Sequence, residues 1–217
     1  MRTRGRGTAA LLATALAGAL LGLPGVGWSA ALVLRSDALT VASLPSPTLY
    51  ASSVASTDDR GGGRGKVDTG DSTTLVLGGR LRPSSLCSTW VETATPQTVT
   101  GLTLRLLDGA GTGGNDVLVV DTAPTGGCAG GLRLGTVDTG SAGFVTGGSV
   151  SFTASTATLT WTATSATLDV VFGTRSGPLA NPGVATVLTW TPDPGLLDGS
   201  GLAIADGTAS SVSAVQW

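Results

Sequence analysis

The chain has 217 residues, which is enough for one domain of β-sandwich size and too few for two large domains. It carries a net charge of −2, with 41% apolar and only 12% charged residues, and its 34 glycines are typical of a fold made of strands and turns. Because histidine is absent, Ser-His-Asp and Cys-His catalytic arrangements and His-based zinc sites are excluded.

The N-terminal residues 1–31 have the pattern of an export signal. Three arginines precede an apolar run from Thr8 to Leu23, and small residues lead to a cleavage point after Ala31. The apolar run is shorter than the roughly twenty residues of a membrane-spanning helix. The sequence therefore predicts a cleaved signal peptide, with an uncleaved membrane anchor as the alternative.

Removal of the signal changes the charge of the chain. Without its three arginines, nine Lys and Arg remain against fourteen Asp and Glu, which gives the mature chain (32–217) a net charge of −5. Such a chain has no basic stripe for nucleic acid or anionic lipid, so we expect no nucleic-acid partner and no membrane contact after cleavage.

Short alternating segments follow the signal in the first half of the chain. Pro83 and the two serines after it suit a helical turn before Cys87. In Val99–Leu107, three leucines share one face and Arg105 lies on the other. The predicted strands are Val33–Val41, Thr48–Ala51, Thr73–Leu77, Val99–Leu107 and Asp116–Asp121.

The second half is organised around a hairpin at Thr156–Gly173. Leu159 and Trp161 alternate with threonines before a small-residue turn at Thr164 and Ser165, and the same alternation continues to Phe172. The other predicted strands here are Leu132–Val137, Phe144–Phe152, Thr186–Trp190 and Ser211–Val215.

Roughly ten short strands without a convincing amphipathic helix predict an all-β fold, either an antiparallel β-sandwich or a sheet closed on itself. Two cysteines remain in the exported chain, Cys87 and Cys128, and an even count in such a chain predicts a disulfide. A metal or redox pair is the rival interpretation, but it has neither CxxC spacing nor histidine.

Two stretches, GDSTTLVLGGRLRPSSLC (Gly70–Cys87) and LTWTPDPGLLDGSGLAIADG (Leu188–Gly207), resemble the opening and closing motifs of bacterial immunoglobulin-like modules of the SwmB and Big_5 kind. The resemblance implies an immunoglobulin-like β-sandwich with a role in adhesion or surface structure and no catalytic residues. The chain departs from the pattern at Leu77–Arg80, and it is longer than these modules. Residues 88–147 are therefore interpreted as divergent or inserted strands.

Aspartates are the remaining source of chemistry. Two close pairs, Asp68/Asp71 and Asp193/Asp198, could serve a hydrolase, but their place beside turn glycines favours turn capping. Weak calcium candidates share one glycine-rich loop, whose sequence lacks the alternating ligand spacing of a calcium loop; they are Asp58, Asp59, Asp68 and Asp71. The glycine runs lack the ending of a phosphate-binding loop, so no cofactor is predicted.

Carbohydrate binding would require exposed aromatic side chains, and the tryptophans are the main candidates. Trp161 and Trp190 occupy inward strand positions and are predicted core residues, and Trp90 is expected to pack beside the disulfide. Trp217 could dock on the domain or stay free for a ligand or partner.

The sequence therefore predicts a non-catalytic module, secreted or at the cell surface, in adhesion, matrix or extracellular assembly. Its partners would be a protein or polysaccharide at the cell surface, or other copies of the chain through edge strands such as Ser210–Gln216. A carbohydrate-binding module and a secreted hydrolase that uses Asp carboxylates are the alternatives.

Overall fold

A computed structural model describes residues 48–59, 64–109, 114–121 and 127–217, all within one compact unit, Leu44–Trp217. The predicted signal and the predicted strand Val33–Val41 lie outside these residues. In chain order the elements are β1 (Tyr50–Thr57), β2 (Ser72–Gly78), α1 (Pro83–Leu86), β3 (Gln97–Leu107), β4 (Val117–Val120), β5 (Thr136–Asp138), β6 (Val150–Trp161), β7 (Ser165–Val171), β8 (Thr174–Ser176), β9 (Thr189–Thr191) and β10 (Ala209–Ser210).

The hairpin of β6 and β7 confirms the prediction from alternation. Leu159 pairs with Leu168 across the two strands, and both side chains are buried. The turn is held by Thr162, whose hydroxyl accepts a hydrogen bond from Ser165 N at 3.0 Å. Trp161 is half-buried against the core, and its Nε1 donates to the carbonyl of Leu81 at 2.8 Å. Period-2 patterning therefore fixes which face of the hairpin is buried.

The described strands form one antiparallel sheet in the order β1-β2-β7-β6-β3-β4-β5-β9-β10, with β8 also paired to β6. Strand β1, at one end of this order, lies beside β9 and β10 at the other end. The sheet is therefore nearly closed on itself. The predicted all-β fold of about ten strands is confirmed, whereas the immunoglobulin-like arrangement stays a prediction.

A line of irregular backbone crosses the middle of the sheet. Ala154 in β6 has a φ of 56°, and the register of β3 against β6 shifts between Val99 and Leu104. Between β7 and β8, Gly173 approaches β6 so closely that an added Cβ would lie 2.0 Å from the carbonyl oxygen of Thr153. Ser155 secures the junction, because its hydroxyl accepts from Gly173 N at 2.9 Å and donates to the carbonyl of Phe152 at 3.0 Å. Such bulges bend strands and add twist, which lets the sheet curve toward closure.

The region 88–147 supplies the strands on one side of β6. Strand β3 pairs with both β6 and β4, and β4 continues to β5. As predicted, Leu102, Leu104 and Leu106 of β3 are buried while Arg105 is exposed. Strands β3, β4 and β5 are therefore a continuous part of the sheet, and the leucines of β3 belong to its core.

The prediction of a strand at Ser211–Val215 is wrong, because the regular backbone pairing of β10 stops after Ser210. A single β-bridge joins Ala214 to Thr186. The C-terminal segment is otherwise held by the side chain of Gln216. Gln216 is buried, and its Nε2 donates to the carbonyl of Thr186 at 2.9 Å and to that of Val212 at 3.2 Å. These side-chain hydrogen bonds take the place of a strand ladder.

Trp217 is docked in the core and is only 2% exposed. Its ring lies edge-on to Phe144 and Phe172, with centroids 5.5 and 6.1 Å away, and its Nε1 donates to the carbonyl of Ser72 at 3.2 Å. Of the two sequence alternatives, docking is therefore what the structure shows. An indole buried in this way offers no surface to a ligand or partner.

We expect the variant Trp217→Ala to lower the free energy of unfolding by about 3–5 kcal/mol, because it empties a core position occupied by a large ring. Trp217→Phe keeps an aromatic ring there and loses the hydrogen bond to Ser72, so its cost should be clearly smaller. Urea unfolding followed by circular dichroism measures both. An unchanged stability in Trp217→Ala would show that the indole is not part of the core.

Candidate functional site

The disulfide defines the frame of the candidate site. Cys87 and Cys128 are bonded as predicted, with their Cα atoms 5.0 Å apart. Cys87 follows α1 directly, and the bond ties α1 to the glycine-rich segment at 127–131. A second link lies beside it, since Arg133 N donates to the carbonyl of Leu86 at 3.0 Å. Two segments distant in sequence are therefore held as adjacent walls.

Three cavities of about 450, 230 and 420 Å³ lie along these walls. The first and second share Gly130 and Arg133, and the second and third share Ser84 and Ser88. We call this series the disulfide groove. The first cavity is also lined by Val120, Leu132, Thr136, Thr191, Pro192, Asp193 and Pro194, and the third by Arg82, Trp90, Val91 and Glu92.

Two arginines, Arg82 and Arg133, line the groove. Arg82 and Arg133 form no ion pair within the part of the chain that the structure describes, which contains every acidic residue except Asp37. Glu92, which lines the third cavity, is paired with Arg80 instead. Both guanidinium groups can bind an external anion, and at Arg133 that anion would lie near the carboxylate of Asp193.

Glycines let these arginines lie flat on the neighbouring loop. A Cβ on Gly195 would lie 2.2 Å from Arg133 Nη1 and 2.9 Å from Asp193 Oδ1, and one on Gly201 would lie 3.5 Å from Arg82 Nη2. The guanidinium of Arg133 and the carboxylate of Asp193, which both line the first cavity, therefore lie against the same glycine, Gly195.

Hydrogen bonds make the groove walls rigid. Ser85 Oγ donates to the carbonyl of Arg82 at 2.7 Å and accepts from Leu197 N at 2.9 Å, which joins α1 to the loop opposite. Behind the first cavity, Trp190 Nε1 donates to the carbonyl of Leu134 at 2.8 Å. A wall fixed before binding loses less conformational entropy when a ligand arrives.

The loop of weak calcium candidates is organised by hydrogen bonds. Asp71 is buried, and its two carboxylate oxygens accept from Asp59 N at 3.0 Å and Asp68 N at 2.6 Å. Asp68 pairs with Arg175 at 2.5 Å. Burial raises the pKa of Asp71 against the opposing effect of those backbone hydrogen bonds, and the charges of Asp58 and Asp68 raise it further. Among the described residues, no three His, Cys, Asp or Glu side chains are gathered where they could hold a metal ion.

The second aspartate pair is divided between two roles. Asp193 Oδ1 accepts from Gly195 N at 2.7 Å and shapes the turn beside the groove. Asp198 is buried, and its carboxylate accepts from the backbone or side chain of Thr48, Ser200 and Leu202. Burial alone raises the pKa of Asp198, but these hydrogen bonds outweigh burial and lower it to about 2. At neutral pH Asp198 is therefore an ionised clamp and a poor proton donor.

We expect Asp198 to make stability depend on pH in the acid range. Its folded-state pKa lies below the ordinary value of 3.8, so its stabilising contribution is complete above pH 3.8 and is lost as pH falls toward 2. Asp198→Asn cannot titrate, and the difference in melting temperature between it and the native chain should shrink between pH 5 and pH 2. A difference that stays constant over that range would contradict this assignment.

The groove was not predicted from the sequence, although parts of it were. Trp90 is buried as expected and donates its backbone N–H to the carbonyl of Cys87 at 2.9 Å. Trp190, also predicted to be core, is 2% exposed. Arg82 lies inside the first quoted motif without a role assigned to it, and Arg133 lies outside both motifs. Only the predicted disulfide indicated that their segments meet.

Compared with family models, with curated proteins and with solved structures, the chain has no match. The resemblance to bacterial immunoglobulin-like modules therefore stays a prediction. In the described part of the chain, every helix is too short or too polar to cross a membrane.

Proposed function

We propose that this chain is a non-catalytic module, secreted or at the cell surface, that acts in adhesion, matrix or extracellular assembly. The observation that carries the proposal is the use made of its buried carboxylates. Asp71, Asp116 and Asp198 are each 2% exposed or less, and each holds separate loops together by accepting backbone N–H groups. Carboxylates engaged in this way stabilise a scaffold and are poorly placed to exchange protons with a substrate.

Export by the N-terminal signal and an immunoglobulin-like arrangement belong to the same proposal. The disulfide supports export, because such bonds persist in oxidising compartments outside the cytosol. The antiparallel sheet with non-sequential neighbours, such as β2 beside β7, supports relatedness to sandwich modules in which distant strands pair.

The partner would be a protein or a polysaccharide at the cell surface. Self-association by strand addition has less support, because the two end strands of the sheet, β1 and β10, lie beside each other. Strand β1 is also tied to the segment that follows β10, since Ser56 Oγ donates to Gln216 Oε1 at 2.7 Å. Addition of a strand from a second copy would have to open this junction.

A carbohydrate-binding module is a second candidate, and the disulfide groove is the observation that favours it. The groove combines cations, hydroxyls and apolar surfaces in the walls of one elongated depression. Such a lining suits a chain of sugar rings.

The test compares export and turnover in one set of preparations. The full chain, expressed in a bacterial host with an export system, should appear outside the cytoplasm with an oxidised disulfide. It should also release no product from ester, peptide or glycoside substrates. Asp68→Asn, Asp71→Asn, Asp193→Asn and Asp198→Asn, made singly, should change the melting temperature alone. A hydrolytic activity that disappears in a folded Asp193→Asn variant would overturn the proposal in favour of a hydrolase.

A further inference from the structure

We propose that the disulfide groove binds a carboxylate-bearing oligosaccharide, a segment of an acidic polysaccharide, with Arg133 and Arg82 as its carboxylate contacts. The inference rests on the proposed function and gives that binding module a ligand class. It joins three features of the groove, which are its unpaired cations, its mixed hydrogen-bonding groups and its apolar surfaces.

The unpaired cations select an anionic ligand. Arg82 lines the third cavity, and Arg133 lies where the first cavity meets the second. A guanidinium group recognises a carboxylate with two parallel hydrogen bonds, which are stronger than neutral ones. Arg64, Lys66 and Arg105 also form no ion pair among the described residues, but none of them lines the three cavities. Arg82 and Arg133 are therefore the cations that an anion in the groove would meet.

The hydrogen-bonding groups select a sugar rather than a polyphosphate. Asp193 lies in the same cavity as Arg133, and its carboxylate would repel a densely charged anion while accepting hydrogen bonds from ligand hydroxyls. Ser84, Ser88 and Thr191 add hydroxyls that donate as well as accept. A uronic acid unit, with one carboxylate and several hydroxyls, matches both kinds of partner.

Apolar surfaces complete the match to sugar rings. Pro194 is an exposed residue of the first cavity, and Val91, which is 61% exposed, lines the third, whereas Trp90 and Pro192 are buried. Such surfaces can pack against the C–H faces of pyranose rings. An acidic peptide would pair more readily with a free strand edge, and none of the three cavities is lined by one. The lining therefore favours an acidic oligosaccharide over a peptide.

Isothermal titration of the full chain tests the inference with tetragalacturonate, a mixed mannuronate–guluronate tetramer and a glucuronate-containing tetramer. At least one should bind, and its methyl-esterified form, which keeps the sugar frame and removes the charges, should bind at least tenfold more weakly. Arg133→Ala should raise the dissociation constant of the acidic ligand by at least tenfold, because a charge-assisted hydrogen bond contributes about 1.5–3 kcal/mol. Arg82→Ala should raise it less, and Arg133→Lys should restore part of the affinity.

Arg105→Ala is the matched control, since Arg105 is an exposed arginine of β3 outside all three cavities. It should leave binding unchanged, and all variants should melt within a few degrees of the native chain. Equal binding of acid and ester, or tighter binding of a tetraglutamate peptide, would overturn the inference. So would the absence of binding by all three acids at about 5 mM, although the non-catalytic proposal would then stand. Release of new reducing ends during the titration would instead overturn the non-catalytic proposal and leave the groove as a uronate site.

Discussion

Replacing both cysteines in the variant Cys87→Ser/Cys128→Ser is expected to lower the free energy of unfolding by about 4 kcal/mol. The bond closes a loop of 41 residues, and the chain-entropy relation assigns about that value to the constraint lost from the unfolded chain. Domains of this kind have total stabilities of about 5–15 kcal/mol, so the loss would be a large fraction. Equilibrium unfolding in urea measures it.

The native chain treated with a reductant supplies the control, because it removes the bond without changing a side chain. Both cysteines are buried, so the double substitution also buries two hydroxyl groups. It should therefore cost more than reduction, by about 1–3 kcal/mol for each hydroxyl that finds no hydrogen-bond partner. The effect should also reach the groove, whose second cavity has the bonded segments as its walls. A reduced chain that unfolds at the same urea concentration would show that the bond does not constrain the unfolded state.

Strand patterning in the sequence was sufficient to predict much of the sheet. Leu102, Leu104 and Leu106 alternate with exposed residues in β3, and Thr73–Leu77 lies within β2 as predicted. Local alternation determines which face is buried because the side-chain period of a strand is two. These predictions depend only on neighbouring residues.

The order of strands and the bend across the sheet could not be predicted in the same way. Nothing in the sequence of β2 indicates that it pairs with β7, because long-range pairing depends on the combined packing of all the strands. The bulge at Ala154 could not be predicted from the sequence either, because alanine rarely adopts a positive φ. The end of β10 was missed because the hydrogen bonds of Gln216 replace those of a strand.

The candidate site was predicted only in part for a related reason. The even number of cysteines and the predicted export of the chain were enough to pair Cys87 with Cys128. Because Trp90 follows Cys87 closely in sequence, it was expected near the bond. The arginines of the groove could not be predicted as anion contacts, because the sequence does not show which arginines form ion pairs in the folded chain. Trp217 shows the opposite case, since a residue that could have been exposed is buried among aromatic rings.

Asp116 is expected to be the aspartate whose loss costs the most stability. It is fully buried, and its carboxylate accepts from Gly109 N at 3.0 Å, Phe144 N at 2.8 Å and Val145 N at 2.9 Å. Asp116→Ala leaves these three buried donors without that acceptor, at about 1–3 kcal/mol each before water enters the space. We therefore expect a loss of about 4 kcal/mol or more in the free energy of unfolding, measured in urea.

Two further variants separate the hydrogen bonds from the shape of the side chain. Asp116→Asn keeps the side-chain volume and one oxygen but turns an NH₂ group toward a backbone donor. It should therefore lower the free energy of unfolding, but by less than Asp116→Ala does. Asp138→Ala removes an aspartate of β5 that is only partly buried and accepts from Gly140 N at 2.7 Å and from Asn115, so it should cost about 1 kcal/mol. If Asp116→Ala and Asp138→Ala were equally stable, the carboxylate of Asp116 would not be holding the loops at Gly109 and Phe144 together. A scaffold role for the buried aspartates requires the opposite, because a clamp between buried loops must cost more to remove than one at the surface.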